Sequence, residues 1–354
     1  MRRLPTGIKI EEVKETYGFL SQMDFITDIT QIDLSELGQF VYNHPHGNFF
    51  QSTKAFRFLV AVNNYEPVLI VAVNRDKIVG SLLVVITREG KGLKGYFSRR
   101  CIVWGGPLVQ DEDPAIWKGL LNKFEEITLK RFIYTEFRNL RDQTHRKELF
   151  QEKDYLLNDH LNYIVSIPSL DLARAGLSKS KKRQINKSLK NGAEIVQPED
   201  IGQVQSFYEI LSRLYKEKVK KPLPSFDFFI KFFEDKSLGT YLLIKYNEQI
   251  IGGIMCPVYT DTIYEWFVCG KDGEFNDVYP SVLATWAAIE YAAHKGLKRF
   301  DFMGAGKPDQ DYGVREFKSK FGGELVNFGR FLKINQKFHY QIGKLGLELL
   351  SRVS

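Results

Sequence analysis

Apolar and polar positions along this chain follow two periods, and the way they alternate is repeated. Residues 71–82, VAVNRDKIVGSL, set two apolar runs either side of a polar turn. Residues 243–254, LIKYNEQIIGGI, do the same 172 positions later. Asn74–Lys77 and Tyr246–Gln249 supply the turn chemistry, so each segment is expected to form a β-hairpin. A second match, LKRFIYTEF at 129–137 against LKRFDFMGA at 297–305, recurs at an offset of 168. Between these points each half carries one order of elements. In the first, strands Glu66–Val73 and Ile78–Thr87 lead to a strand and loop over Gly95–Val109. A helix from about Pro114 to Lys130 and a strand Arg131–Phe137 follow. The second half gives strands Thr240–Lys245, Ile250–Tyr259 and Tyr264–Cys269, a helix from about Pro280 to His294, and strand Arg299–Met303. Pro114 and Pro280 sit where a helix's first N–H has no partner to lose. Two helices precede each hairpin: Leu34–Tyr42 with Thr53–Val62, and Asp200–Lys221 with Phe226–Phe233.

Each unit therefore reads β–α–α–β–β–β–α–β–α–β, a mixed sheet with helices on both faces. That order is similar to the GNAT acyltransferase fold. The expected class is α/β (α+β mixed sheet), with two tandem GNAT-like domains at 1–168 and 169–335. Residues 336–354 are expected to form a C-terminal amphipathic helix, with Phe338, Ile342, Leu345 and Leu349 on one stripe. The 354 residues also suit two cores better than one.

Composition changes this picture little. Apolar residues make up 44% and charged residues 26%, an ordinary globular balance. Cys101, Cys256 and Cys269 are far apart and form no CxxC pair, which argues against a disulfide framework or zinc site. The N-terminal MRRLPTGIKIEEV has no apolar core of a signal peptide, and no apolar run is long enough to span a bilayer. A cytoplasmic protein is expected, with peripheral contact at the inner membrane surface left open. Charge is more informative. Residues 1–165 hold 22 Lys/Arg against 21 Asp/Glu, and residues 166–354 hold 28 against 22. Nearly all of the +7 excess thus lies in the second half, which points to a polyanionic partner or to a solvated basic face.

Two segments carry candidate chemistry. A helix between Ser178 and Asn191-Gly192 bears Lys179, Lys181, Lys182, Arg183, Lys187 and Lys190 with no acid. Its i,i+4 row Lys179, Arg183, Lys187 repels itself without a counter-charge, so Lys179, Lys182, Arg183 and Lys187 are candidate polyanion contacts. The second segment is FDFMGAGKPDQDYGVREFKSKFGG, residues 300–323. A strand ends in a Gly-rich loop closed by Pro308, and Asp311 is expected to cap a short helix. On that helix Val314, Phe317 and Phe321 face the core and Arg315 and Lys318 are neighbours. Lys318 lies beside the apolar stripe, so its head is expected to reach a cleft at the sheet's carboxyl edge. The bland alternative is a snorkelling surface lysine. Sharper motifs fail. Gly304–Lys307 lacks P-loop spacing, His44-Pro45-His46 reads as a turn, and no GxSxG or HExxH is present. No metal is expected.

At residues 300–323 the sequence resembles the FemAB family of peptidoglycan interpeptide-bridge transferases. The resemblance rests on Asp301-Phe302-Met303-Gly304 followed by Phe317-Lys318-Ser319-Lys320-Phe321-Gly322-Gly323. It extends through Gly47–Ser52, Gly105–Leu108 and the basic helix before Gly192. It implies twin GNAT-like domains and transfer of an amino acid from aminoacyl-tRNA to a peptide amine of a nucleotide- or lipid-linked muropeptide, without a cofactor. Lys318 is then the residue expected to stabilise charge, with Phe317, Asp301, Gly304 and Arg315 around it. Gln51, Gly105 and Gly106 would lie at the precursor cleft. No long charged heptad insertion is present, so the coiled-coil arm of some members is not expected. Two rivals stay open: an acyl-CoA N-acyltransferase and a non-enzymatic RNA- or envelope-binding module. Against the first, the segment Gly270–Tyr279 lacks the glycine spacing that cradles the CoA pyrophosphate in GNAT enzymes. It also sets Asp272, Glu274 and Asp277 there, and the first half has Gln110–Asp113.

Overall fold

Both hairpins close as their turn residues require. Arg75 and Asp76 in the first, and Asn247 and Glu248 in the second, take positive φ, the twist-matched turn of a two-residue hairpin. A computed structural model describes residues 23–90, 92–128, 131–310 and 313–341. Its first half runs β1 (Met23–Ile26), α1 (Leu34–Asn43), α2 (Thr53–Val60), β2 (Tyr65–Asn74), β3 (Lys77–Thr87) and α3 (Gly92–Phe97). Then come β4 (Arg100–Trp104), β5 (Leu108–Val109), α4 (Pro114–Thr128), β6 (Tyr134–Arg138), α5 (Lys147–Gln151) and β7 (Leu156–Asn158). The second half begins with β8 (Leu161–Ser166), α6 (Leu170–Gly176), α7 (Lys179–Lys190), β9 (Glu194–Val196), α8 (Ile201–Leu214) and α9 (Phe226–Glu234). It continues through β10 (Gly239–Tyr246), β11 (Gln249–Tyr259), β12 (Thr262–Tyr264), β13 (Phe267–Gly270) and α10 (Pro280–His294). It closes with β14 (Arg299–Asp301), α11 (Gly313–Ser319), β15 (Glu324–Asn327) and β16 (Arg330–Ile334).

The strands form two eight-stranded mixed sheets, ordered β1-β2-β3-β4-β6-β16-β7 and β15-β8-β14-β12-β11-β10-β9, with β5 and β13 pairing to β3 and β11. This corrects the division at residue 168. Strand β8 belongs to the second sheet, and β16, from the chain's last part, sits between β6 and β7 in the first. The halves exchange strands. Period-two patterning identifies a strand but not the sheet it joins, and this is why sequence placed the boundary at 168.

Three more boundaries move. The stretch from Gly95 begins inside a helix, α3. The helix after Asp200 gives way at Leu214 to a π-helical turn, Tyr215–Val219. The strand expected over Tyr264–Cys269 is broken at Glu265-Trp266. Asp311, Leu129, Lys130 and the apolar stripe beyond Gln341 lie outside the described residues. Among the described residues no helix is long and apolar enough to cross a membrane, and the longest have 15 residues.

Each sheet has a helix on one face, α4 on the first and α10 on the second. Helix α10 is apolar on nearly every side, from Val282 to Ala292, as a helix sunk in a core must be. The other faces of the two sheets share a third, aromatic core. Phe49, Phe58, Leu69 and Leu83 from the first half meet Phe207, Phe228, Phe232 and Tyr241 from the second.

Candidate functional site

Strands β12 and β14 run parallel through Thr262↔Arg299, Ile263↔Phe300 and Tyr264↔Asp301. Beyond that pair they part, and β13 bonds only to β11. Open α/β sheets bind ligands where parallel strands separate at their carboxyl ends. Glu265 and the loop Phe302–Gly306 flank this opening. Asp301 is buried and accepts hydrogen bonds from Asn162 Nδ2 and Met303 N, each 2.7 Å long. The carbonyl of the same Asn162 accepts from Gly304 N at 2.7 Å. One amide thus fixes both sides of a turn in which Met303 and Gly304 have φ of 58° and 133°. A side chain at Gly304 would be strained at that φ and would press within 3.1 Å of His160 Nε2.

The cations of α11 grip this loop from one side. Arg315 Nε donates to the Ala305 carbonyl at 3.0 Å, and its other nitrogens reach the carbonyls of Lys307, Pro308 and Gln310. The Lys318 ammonium uses all three protons, on Phe302 O at 2.7 Å, Gly304 O at 2.8 Å and Glu265 Oε1 at 2.8 Å. The side chains of Lys318 and Glu265 are only 9% and 4% exposed, so this is a buried ion pair. The Lys318 head thus lies beside the opening at the strands' carboxyl ends, buried against Glu265 and the loop, and is not a snorkelling surface lysine. Burial raises the Glu265 carboxyl pKa, and Lys318 opposes that rise. Glu265 Oε2 has no hydrogen-bond partner. Glu265 was missed from sequence, although an acid between Tyr264 and Trp266 in an apolar strand was the available signal.

Phe317 links this loop to the basic helix through a residue that the charge pattern did not single out. Lys181 on α7 is buried with its Nζ 3.9 Å from the Phe317 ring centre. Burial and then Lys320 bring its pKa down to about 8, against an opposing pull from Asp272. The expected polyanion contacts lie apart from it. Lys187 pairs with Asp277 at 2.7 Å, and Lys182 donates to the Ala175 carbonyl. Lys179 and Arg183 are exposed.

Gly105 and Asp301 do come together, lining a small cavity of about 80 Å³ between the halves with His46, Arg141, Tyr264 and Arg299. Gln51 is not part of it. Its side chain is buried and spans β3 and β4, donating to Leu83 O and Trp104 O and accepting from Leu83 N. Gly106 backs onto it, and a Cβ there would fall 2.5 Å from Gln51 Cδ. Gln51→Leu is expected to cost about 3 kcal/mol, since it strands three buried backbone groups. Chemical denaturation measures this. Unaltered stability with weakened acceptor binding would return Gln51 to a ligand role.

The described residues contain no group of side chains that could hold a metal, and burial pushes the thiols of Cys101, Cys256 and Cys269 up. The N-terminus of α10 is occupied from within, because Ser281 N donates to Asp272 Oδ1 at 3.1 Å.

Residues 244–345 match the FemAB family. The crystal structure of FemX superposes with a TM-score of 0.66 at 16% identity, covering 90% of this chain and 99% of that one. A tandem GNAT protein from the clavulanic acid biosynthesis pathway gives 0.59 at 11% identity over 88% and 98%. L-PGS from Bacillus licheniformis gives 0.54 at 13% over 90% and 97%. At such identities the solved structures establish fold. No curated protein matches the chain in sequence. Strand parting, Gly-rich turn and Lys318 helix all lie within the residues that match the FemAB family, and the chain carries them on a tandem GNAT-like fold.

Proposed function

We propose that this acyltransferase moves an aminoacyl group from aminoacyl-tRNA to an amine of a peptidoglycan precursor at the cytoplasmic face of the cell envelope. The family match over residues 244–345 supports it, as does the fold shared with FemX. One observation favours this donor over acyl-CoA. The α10 N-terminus, where a GNAT enzyme would seat a pyrophosphate, already carries the Asp272 carboxylate. An anionic cofactor would have to displace it.

The chemistry asks little beyond positioning. The acceptor amine attacks the ester carbonyl, a C–N bond forms, and the C–O bond to the tRNA ribose breaks. The proton lost by the amine ends on the ribose oxygen. What needs stabilising is the oxyanion between these steps. Lys318 can supply that charge if the donor displaces its bond to Gly304 O, which is less deeply buried than the bond to Phe302 O. Phe317 and Lys181 would wall the donor side, and the exposed Lys179 and Arg183 would meet tRNA phosphates.

The test is a mass-spectrometric assay with muropeptide precursors, nucleotide- or lipid-linked, and either charged tRNA or acetyl-CoA. The expected product carries aminoacyl mass. Acetyl mass, with none from charged tRNA, would overturn the reading.

A further inference from the structure

As an acceptor nitrogen attacks an ester it gains positive charge, and it has to shed a proton before the ribose oxygen can leave as a hydroxyl. The titratable side chains around the opening are not equally free to take that proton. Asp301 is committed to the turn, since its Oδ1 accepts from both Asn162 Nδ2 and Met303 N. His160 lies against Gly304, but its Nε2 is 2.7 Å from Arg330 Nη2. An arginine has no lone pair to offer, so the imidazole accepts that bond and its basic nitrogen is spent. Burial, then Arg330, lowers the His160 pKa to about 3. Cys256 is fully buried, and burial pushes its thiol far up. Lys181 comes from α7 and lies over the rings of Phe317 and Phe321, whereas the loop carbonyls are held by Lys318.

Glu265 remains. Its backbone is pinned where the strands part, because its N–H donates to Asp301 O at 2.8 Å. One carboxylate oxygen, Oε1, holds Lys318 at 2.8 Å, and the other, Oε2, is buried with no hydrogen-bond partner. A buried polar atom left without a partner is an exception that asks for a reason. Burial, the largest influence, raises the Glu265 pKa although Lys318 opposes it, and Asp301 adds to the rise. A carboxylate so raised is a better proton acceptor near neutral pH than an exposed one.

We infer that Glu265 is a further catalytic residue, the general base of the transfer, and that its Oε2 takes the proton of the attacking amine. The assignment rests on transfer to an amine, as read above, and not on which donor supplies the acyl group. Lys318 fixes where the oxyanion forms, and Oε2 shares a carbon with the oxygen that Lys318 holds. An amine attacking the carbonyl beside Lys318 therefore arrives next to Oε2. The displacement of Gly304 O that frees Lys318 for the donor also opens the way to Oε2, bringing it within the roughly 2.6–3.2 Å that a base requires. As the C–N bond forms, one N–H proton passes to Oε2. As the C–O bond breaks, that proton passes to the ribose oxygen, which leaves as a hydroxyl, and Glu265 is a carboxylate again.

A glutamate that only held Lys318 would matter equally to every nucleophile, whereas a base matters most to a basic one. The full chain is given its donor, charged tRNA or acetyl-CoA, with either a muropeptide amine or hydroxylamine, whose far less basic nitrogen sheds its proton to water. Glu265→Gln is expected to lower kcat at least about 100-fold with the muropeptide amine and less than about tenfold with hydroxylamine. Should that variant unfold, Glu265→Asp keeps a counter-ion for Lys318 but draws the oxygen back. It is expected to lose at least about tenfold more with the amine than with hydroxylamine. Equal losses with the two nucleophiles would reduce Glu265 to a support for Lys318 and overturn the base, as would full activity of Glu265→Gln with the amine. Product from acetyl-CoA alone would sink the donor proposed above, while the contrast between the nucleophiles would still decide the base.

Discussion

Replacing Lys318 by methionine is expected to remove about 3–5 kcal/mol of folding stability together with activity. The methionine fills the stem's space but leaves the Glu265 carboxylate buried without its partner, and the carbonyls of Phe302 and Gly304 without their donor. Loss of activity alone would therefore not identify a catalytic lysine. A double-mutant cycle separates the two roles. Glu265→Gln combined with Lys318→Met should recover about 2 kcal/mol relative to the two single losses added, because the unpaired charge is gone. Activity should not return with it if Lys318 also meets the oxyanion. Additive losses in denaturation would mean that the pair is not coupled. Activity restored in the double variant would confine Lys318 to holding the loop.

A fragment of residues 1–168 is expected not to fold by itself, although its sequence reads as a complete domain. It lacks β16, an interior strand that covers the edges of both β6 and β7. It also loses Phe331, fully buried and stacked on Phe150 with ring centres 3.9 Å apart, a contact on the scale of about 3–5 kcal/mol for a deleted aromatic ring. Meanwhile β8, left without β14 and β15, has no sheet to join. Circular dichroism of the fragment should show no cooperative thermal transition, and co-expression with residues 169–354 should restore one. A fragment that melts cooperatively alone would contradict the exchange.

What sequence made legible follows from where information is local. Hairpin turns at Arg75-Asp76 and Asn247-Glu248, and the basic helix from its Ser178 cap to Asn191, are written in adjacent residues and come out where expected. The Asp301–Gly304 turn was visible as a Gly-rich break after an apolar strand. Its partners were not, because Asn162 comes from a strand 139 positions earlier and no nearby pattern announces it. Glu265 shows the same limit from another side. The run Tyr264–Cys269 reads as one strand by period, and only the divergence of β13 from β14 turns its single acid into the counter-ion of Lys318. Gln51 enters only through the resemblance, as a residue of the precursor cleft, yet its three bonds to backbone make it a strut.

The exchanged strand also sets an order in time. The ribosome finishes β7 about 170 residues before it reaches β16. At a synthesis rate of roughly 5–20 residues per second, the first sheet waits about 10–35 s with the edges of β6 and β7 unpaired. Throughout that interval Phe150 lacks the ring that later covers it. The nascent first half is then a natural client for chaperones, and its vulnerability to aggregation ends only when nearly the whole described chain has been made.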